Sequence, residues 1–370
     1  MLSDNFFEIA KHHFNDALPF VLYSNPNTVL VKGIFQEEDT VYASENLNES
    51  GFVFAPFNTN NKTILIPLDK SISIEHKFVS SQKTSDENEY EINLSKAKTF
   101  HLDLVTKAIK EINTNAFKKV VVSRKEYVNL LESNPITLFK RLLSQYKTAF
   151  VYCWYHPKIG LWLGATPETL ISVIGNRFTT MALAGTQAYN GEENPTWQAK
   201  EIEEQQVVIN YLLDNLKASV SSLNVGKTET IKAGNLLHLR TKVSGFLDSD
   251  LKTLVTILHP TPAVCGLPKT VTKAFILENE NYDREFYTGY LGELNIVEKT
   301  ARNTNRRNVE NNAYSTVKTV SNLFVNLRCM QLTDITASLY IGGGIIKNSN
   351  PEKEWEETVN KSQTMKKVLF

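Results

Sequence analysis

The fold is decided by four short runs near the amino terminus: LPFVLYS at 18–24, TVLVKGIF at 28–35, GFVFAPF at 51–57 and KTILIPL at 62–68. β-Branched and aromatic residues dominate each run, and Asn, Pro or Gly residues separate one run from the next. This combination is typical of short antiparallel strands joined by turns. The sequence therefore predicts an antiparallel sheet in this part of the chain.

Strands and helices follow one another irregularly in the rest of the chain. Strand-like runs occupy 120–123, 148–186, 228–248 and 316–347, with a hairpin turn near Gly175 and Asn176. Apolar residues at helical spacing predict helices near 100–112 and at 136–146, 195–220 and 352–369. Because strands do not alternate regularly with helices, the order favours an α+β fold with mainly antiparallel sheets over a doubly wound parallel sheet.

One polar segment interrupts this pattern. The stretch SSQKTSDENEYEINLSK at 80–96 predicts a linker or an exposed loop. A chain of 370 residues can form two domains, but folds built on large sheets reach this size as one domain. Length alone therefore leaves the number of domains open.

Composition excludes several classes of protein. The 40 basic residues balance 40 acidic ones, whereas a general nucleic-acid-binding protein needs a basic excess. No run approaches 18 consecutive apolar residues, and the start MLSDNFFEIA lacks the pattern of a signal peptide. We therefore expect a cytoplasmic protein that binds a small molecule or another protein and has no membrane partner. The separated Cys153, Cys265 and Cys329 predict packed thiols rather than disulfides or a zinc site.

Two acidic pairs are candidates for binding a divalent cation. Glu201 and Glu204 lie three residues apart on one predicted helix, and Glu354 and Glu357 lie three apart on another, so each pair shares a helix face. Oxygen ligands without His or Cys suit Mg²⁺. The alternative is a pair of solvated helix faces, in which Glu357 forms an ordinary i,i+4 ion pair with Lys361.

Two further residues are candidates for acid–base chemistry. Lys119 precedes the apolar strand VVVS, where desolvation would favour its neutral form and make it a base, although a lysine at a strand end usually reaches solvent. Glu168 in GATPETL is either a partly buried general acid or a surface turn residue. The glycines of YIGGGII at 340–346 free backbone amides to approach an anion, but the run lacks the pattern of a nucleotide-binding loop.

Taken in order, these segments resemble the chorismate-utilising enzymes, and among them the enzymes that form isochorismate. The resemblance covers about residues 95–370 and is carried by these blocks: KVVVSR, GATPETL, ALAGT, KEIEEQQVV, LHLRTKVSG, LHPTPAVCGLP, the spaced Glu280, Arg284, Tyr287 and Gly289, YIGGGII, and NPEKEWEETVNK. It implies one domain over 1–370, with large antiparallel sheets packed as a sandwich and helices outside. Residues 1–95 would be amino-terminal strands that match poorly, and 96–370 would be the catalytic core.

The resemblance implies an isomerase that acts on chorismate with Mg²⁺ and no redox cofactor. Water attacks ring carbon 2, the hydroxyl on ring carbon 4 leaves, and the double bonds shift. Lys119 would activate the water, and Glu168 would protonate the departing hydroxyl. Water is a poor nucleophile and hydroxide a poor leaving group, so a base and an acid must act together.

The resemblance also implies roles for the binding residues. Glu204 and Glu357 would bind Mg²⁺, with Glu201 and Glu354 behind them or acting through water. Two sets complete the implied site: Arg328, Lys361 and the amides of Gly342 and Gly344 for the substrate carboxylates, and Ala184, Gly185, Thr186 and His259 for the pocket lining. Thr241 is a weaker candidate.

Two positions depart from the pattern of these enzymes. Gln205 replaces a frequent His, and Cys265 replaces a small Gly or Ser, but neither change removes a proposed acid or base. Salicylate synthases, which also eliminate pyruvate, share Lys119, Glu168 and the metal site, so they are an open alternative. Aminating relatives generally lack the lysine, and some have a lysine where Ala184 stands. We therefore expect a monomer without a glutaminase subunit, and an intact set of candidate residues argues against a non-catalytic binding protein.

Overall fold

The computed structural model describes residues 5–79, 95–192, 195–233, 236–300 and 316–370. The helices in these ranges are α1 (Asn5–Asn15), α2 (Ser95–Asn113), α3 (Pro135–Gln145), α4 (Ala199–Leu216), α5 (Leu251–Leu258), α6 (Lys269–Asn279) and α7 (Pro351–Leu369). The first strands are β1 (Phe20–Ser24), β2 (Leu30–Gln36), β3 (Tyr42–Ser44), β4 (Gly51–Ala55), β5 (Thr63–Pro67), β6 (Ser71–Lys77), β7 (Lys119–Asn129), β8 (Phe150–His156), β9 (Gly160–Thr166) and β10 (Thr169–Ile174). The others are β11 (Arg177–Ala188), β12 (Val220–Val225), β13 (Glu229–Ala233), β14 (Leu236–Leu247), β15 (Gly266–Leu267), β16 (Tyr290–Thr300), β17 (Thr316–Val325), β18 (Cys329–Leu332) and β19 (Thr336–Ile345).

The strands form two large antiparallel sheets. The nine-stranded sheet has the order β15-β7-β19-β18-β9-β8-β1-β2-β6. The ten-stranded sheet has the order β12-β14-β11-β10-β17-β16-β4-β5-β3, and β13 pairs with β14. The predicted α+β class with mainly antiparallel sheets is confirmed.

A largely aromatic core joins the two sheets. Phe54 of the ten-stranded sheet meets Trp154 of the nine-stranded sheet edge to face, with ring centroids 5.1 Å apart. Phe150 and Phe324 stack across the same interface at 4.1 Å. Burial of such large side chains on both inner faces holds the sheets together as a sandwich.

Helices cover the outer faces of the sandwich. Apolar side chains of α1, α3 and α7 pack on the nine-stranded sheet, and those of α4 and α5 pack on the ten-stranded sheet. Apolar side chains of α2 and α6 pack against Val120 and Val122 of β7, near one edge of the nine-stranded sheet. No helix in the described ranges is both long and apolar enough to span a bilayer.

The predicted strands and helices are present in the structure, but several other elements were missed. The hairpin between β10 and β11 turns at Gly175, whose φ of 64° suits a residue without a side chain. Helices α1, α5 and α6 and strands β6, β12, β15 and β16 were not predicted, and α4 begins at Ala199 rather than at 195. Of the predicted linker, 80–94 lie outside the described residues, and Ser95 and Lys96 already belong to α2. The cysteines are free and buried, as predicted.

Candidate active site

A pocket lies where β7, β11 and β19 approach α4 and α7. We call it the central pocket; its lining includes Lys119, Glu168, Glu204, Arg328 and Glu357. These residues come from widely separated blocks of the sequence. The fold therefore brings both acid–base candidates and both proposed metal ligands to one place.

Lys119 is the first residue of β7 and is almost completely buried, with 1% of its surface exposed. The apolar run that follows it places the strand inside the nine-stranded sheet, between β15 and β19. Its Nζ donates a hydrogen bond to Glu204 Oε1 on α4, at 2.7 Å. Gly344 makes this contact possible, because a Cβ at this position would lie 2.6 Å from Glu204 Oε1 and 3.1 Å from Lys119 Cε.

Glu168 lies between β9 and β10, where the chain passes from one sheet to the other. Its backbone carbonyl accepts a hydrogen bond from the Val325 amide at 2.9 Å, which fixes the turn against β17. The residue is 3% exposed and is therefore not a surface turn residue. Burial raises the pKa of its carboxyl to about 8, although the positive charge of Lys119 opposes the shift. A carboxyl that keeps its proton near neutral pH can act as a general acid.

Three of the four candidate metal ligands form ion pairs with lysines. The pairs are Lys119 with Glu204 at 2.7 Å, Lys200 with Glu354 at 3.0 Å, and Lys361 with Glu357 at 2.6 Å. The last is the i,i+4 pair that the sequence allowed as an alternative. Each of these carboxylates thus has a positive charge beside it.

Burial and neighbouring charges shift the pKa values of two of these carboxyls in opposite directions. Burial acts to raise the pKa of Glu204, but the charges of Lys119, Lys361 and Lys200 outweigh it and lower the pKa. Burial raises the pKa of Glu354, and the nearby negative charge of Glu357 raises it further. Glu204 is therefore the better-stabilised carboxylate.

The residues present fit a magnesium ion. Among the described residues, none makes a hydrogen bond of normal geometry to the buried Glu201 Oε2 or Glu354 Oε2, so both oxygens have acceptor capacity left. Within the described ranges, no three acidic, His or Cys side chains converge at ligand distance. Mg²⁺ needs only one or two protein carboxylates and retains several waters. Hard oxygen donors with unused lone pairs suit this ion, and its binding at the site stays a prediction.

Polar groups suited to carboxylates lie at the β19 side of the pocket. Lys361 Nζ donates to the Gly342 carbonyl at 3.0 Å, so this carbonyl points away from β7. In an antiparallel strand the amide of the same residue points the same way, as does that of Gly344 two residues on. On β7, Ser123 lies opposite Gly342 and Val121 lies opposite Gly344. The amide of Val121 donates to the Cys265 carbonyl and that of Ser123 donates to Glu280 Oε1, so neither amide bonds to β19. Both glycine amides therefore face the pocket.

Arg328 contacts a histidine that the sequence did not single out. Its Nη2 lies 2.7 Å from His238 Nε2, and an arginine can only donate, so Nε2 accepts and the ring carries its proton on Nδ1. Nδ1 lies 3.2 Å from the Gly185 carbonyl, to which it can donate. Burial, with the charges of Arg328 and Lys361, holds the pKa of His238 well below its usual range. The neutral ring links Arg328 to β11.

Most of the chain, including these site residues, matches one protein family. The profile described as chorismate binding enzyme matches residues 52–300 and 314–370, which make up most of the chain. The chain belongs to the chorismate-binding enzyme family. The match begins at residue 52, so it includes part of the amino-terminal region in which no motif was recognised.

Several known proteins are similar to this chain in sequence or in structure. Isochorismate synthase MenF of Haemophilus influenzae is 26% identical over 271 residues, which are 70% of this chain and 58% of that protein. This chain thus spans little more than half the length of that curated relative. The solved structure of the menaquinone-specific isochorismate synthase MenF of Escherichia coli has a TM-score of 0.73 at 20% identity, covering 95% of this chain and 89% of that one. Anthranilate synthase component I of Streptococcus pneumoniae has a TM-score of 0.65 at 17% identity, covering 94% and 92%. At these identities the structures show a shared fold.

Most of the predicted site residues lie on the pocket wall of this chorismate-binding fold. Ala184, Gly185 and Thr186 line it from β11, as do Glu201 and Lys361 from the two helices. Gly185 has a φ of 71°, and a Cβ there would lie 3.1 Å from Glu201 Cβ. The glycine therefore allows α4 to approach β11 closely.

Three predicted residues lie outside the described pocket lining. His259 caps α5 through its amide, and its ring packs 5.1 Å from that of Tyr290, where burial lowers its pKa to about 3. Thr241 accepts a hydrogen bond from Gln205 Nε2 at 3.0 Å, behind α4. Sequence blocks do not show on which side of a strand or helix a residue lies, so the proposed roles of both residues stay predictions. Glu354 is also outside this lining, and its supporting role stays a prediction.

Lys200 and His238 line the pocket but were not predicted as site residues. Lys200 precedes Glu204 by four residues on α4, so helical spacing could have placed both on one face. His238 had no such signal, because its contact with Arg328 joins residues 90 positions apart. Both residues contact predicted site residues directly.

Proposed function

We propose that this protein is an isochorismate synthase, an isomerase that converts chorismate to isochorismate with Mg²⁺. The observation that carries the proposal is the burial of Lys119 and Glu168 on the wall of one pocket. The oxygen of water would bond to ring carbon 2 and the bond between carbon 4 and its hydroxyl would break, with the double bonds shifting between them. The departing hydroxyl would leave as water, so atoms balance.

The acid and the base have distinct tasks in this proposal. Lys119 would take the proton of the attacking water in its neutral form, so it must first lose the proton that it donates to Glu204, and Glu168 would give its proton to the leaving hydroxyl. The raised pKa of Glu168 supports its role, because an acid must still carry its proton when the substrate is bound. Each role remains to be tested by substitution.

The substrate carboxylates would meet the positive groups of the pocket. Arg328, held by His238, can form a two-pronged contact with one carboxylate. Lys361 and the pocket-facing amides of Gly342 and Gly344 would bind the other. Fixing both ends of the ring would hold its reacting carbons in place beside Lys119 and Glu168.

Glu204 and Glu357 would hold the magnesium ion, and Glu201 and Glu354 would support it through water. When bound, Mg²⁺ supplies a positive charge that offsets a substrate carboxylate. The buried oxygens of Glu201 and Glu354 that no described residue satisfies with a hydrogen bond of normal geometry support this assignment. We further propose that the protein works as a cytoplasmic monomer without a glutaminase subunit.

Product analysis tests the proposed function. Purified protein is incubated with chorismate and Mg²⁺, and the products are resolved by NMR. Isochorismate alone supports the proposal, whereas salicylate with pyruvate would assign a salicylate synthase. Chorismate that stays unchanged at high protein concentration would refute both. The Lys119→Ala variant should lose turnover while still binding Mg²⁺ and chorismate, and near-normal turnover would remove Lys119 as the base.

A further inference from the structure

Lys200 joins the two helices that carry the candidate metal ligands. It lies in the first turn of α4, and its Nζ is 3.0 Å from Glu354 Oε1 on α7. The residues are 154 positions apart, so the contact depends on how the helices pack. This ion pair is therefore part of the pocket architecture rather than a local helix contact.

The two partners of this pair differ in burial. The side chain of Glu354 is 2% exposed, whereas that of Lys200 is 34% exposed. Lys119 and Lys361, which hold the other two carboxylates, are 2% and 23% exposed. A long lysine side chain can move its ammonium group into water at small cost. Lys200 is therefore the most easily displaced of these three lysines.

Glu354 needs more positive charge than Lys200 supplies. No described residue makes a hydrogen bond of normal geometry to its buried Oε2, although Oε1 meets Lys200 and the Ser349 hydroxyl lies near enough to lower its pKa. A buried carboxylate with an unused oxygen is costly unless a cation or a donor satisfies it. A divalent cation with its bound water would satisfy both oxygens better than one ammonium group.

We propose that Lys200 is a displaceable counter-ion of Glu354, which occupies this carboxylate before a divalent cation binds and so lowers the affinity of the pocket for the cation. The inference rests on the proposed metal role of the glutamates, and not on the reaction. Lys200 is a positioning residue, since it acts through Glu354. Its removal leaves Glu354 with more capacity for a metal ion.

Manganese binding without substrate tests this inference. Mn²⁺ serves as the probe, and electron paramagnetic resonance measures the free ion in titrations of the full-length protein. The Lys200→Met variant, which keeps the length of the side chain but not its charge, should bind Mn²⁺ about fivefold more tightly or better. The Lys200→Arg variant should stay close to the original protein. A purely structural role predicts the opposite sign, because losing a brace between α4 and α7 would weaken binding.

Two control variants separate failure of this inference from failure of the metal site. Lys98 pairs with Glu352 on α7 at 2.8 Å outside the pocket, so Lys98→Met should leave Mn²⁺ affinity unchanged. Glu354→Gln should weaken binding. If Glu354→Gln weakens binding but Lys200→Met does not tighten it, the counter-ion role is wrong. If the original protein binds no Mn²⁺, or Glu354→Gln has no effect, the metal role of Glu354 fails and the inference with it.

Discussion

Lys119 Nζ and Glu204 Oε1 lie 2.7 Å apart in the protein interior, although 85 positions separate the two residues in the sequence. The contact joins a strand of the nine-stranded sheet to a helix that packs on the other sheet. It places the proposed base against a proposed metal ligand. A change that separates these two atoms should therefore disturb catalysis without disturbing the fold.

Gly344 offers such a change. In Gly344→Ala the new Cβ would lie 2.6 Å from Glu204 Oε1, so the carboxylate or the strand must move. We expect kcat/KM for chorismate to fall by roughly a hundredfold, as for other displacements of about 1 Å in an active site. Steady-state kinetics measures the loss, and thermal unfolding shows whether the fold persists.

Gly343→Ala is the matched control on the same strand. The nearest contact of a Cβ there is Glu354 Oε2 at 3.7 Å, an ordinary van der Waals distance. We expect activity within a fewfold of the original. Equal losses in the two variants would show that the strand, and not the contact between Lys119 and Glu204, is sensitive.

Most strands could be predicted from the sequence, whereas strand β16 and helices α1, α5 and α6 were missed. Strand runs such as 18–24 and 62–68 carry a strong local signal, because their apolar and β-branched residues are consecutive. Helix α5 has only eight residues, and its one clear signal is Asp250, whose side chain caps the amide of Thr253. That signal could have located the helix, since an N-cap precedes its apolar run.

The site could be predicted as a set of residues but not as a set of contacts. Motif blocks located Lys119 and Glu168, and helical spacing predicted the pair of Lys361 and Glu357. The pair of Lys200 and Glu354 depends on how two distant helices pack, which a single sequence does not specify. For the same reason the sequence did not show that the His259 ring packs against Tyr290.

The pH dependence of the reaction should follow Glu168. Its carboxyl has a pKa of about 8, so it carries the proton below this pH and loses it above. As a general acid it should therefore support turnover up to about pH 8, with kcat/KM falling as pH rises further. A pH–rate profile measures this, and the Glu168→Gln variant should lose roughly a hundredfold or more of its rate. An alkaline limb that persists unchanged in the residual activity of Glu168→Gln would assign it to another group.

Glu168 should also make the fold less stable as pH rises. Its pKa in the folded protein lies above the ordinary value of 4.5, so between these values the folded chain binds more protons than the unfolded one. The free energy of unfolding must then fall with increasing pH across this window. Glu168→Gln removes this dependence. The free energy of unfolding of the variant minus that of the original protein should therefore be larger at pH 8 than at pH 5. Urea unfolding at both values measures the difference, and no change would contradict the raised pKa.

His238 should affect substrate binding more than the chemical step. His238→Leu removes the acceptor that lies 2.7 Å from Arg328 Nη2 and the donor to the Gly185 carbonyl. Loss of such contacts costs about 1–3 kcal/mol, and 1.4 kcal/mol corresponds to a tenfold change. We expect KM for chorismate to rise about tenfold, with a smaller rise in His238→Gln, whose amide oxygen can still accept. A fall in kcat with unchanged KM would instead indicate a role in the reaction itself.

The buried pair of Arg284 and Glu280 should matter for stability. Arg284 Nε and Nη2 bond both carboxylate oxygens at 2.8 and 2.6 Å, and Nη2 also donates to the Val121 carbonyl of β7. Arg284→Met leaves a buried carboxylate uncompensated, which should lower the free energy of unfolding by about 3–5 kcal/mol. Urea denaturation measures this.

A surface ion pair provides the comparison for this loss. Lys158 pairs with Asp39 at 2.9 Å, with both side chains about half exposed, so Lys158→Met should cost much less than Arg284→Met. The double change Glu280→Gln with Arg284→Met should recover part of the loss, since it removes the buried charge. Similar losses for Arg284→Met and Lys158→Met would show that burial of the pair is unimportant.

The origin of the new hydroxyl tests the central claim most directly. The reaction is run with chorismate and Mg²⁺ in water enriched in oxygen-18, and the product is analysed by mass spectrometry and NMR. Attack by water predicts isochorismate with one oxygen-18 atom, located on ring carbon 2. Unlabelled isochorismate, or chorismate that remains unchanged, would contradict the account.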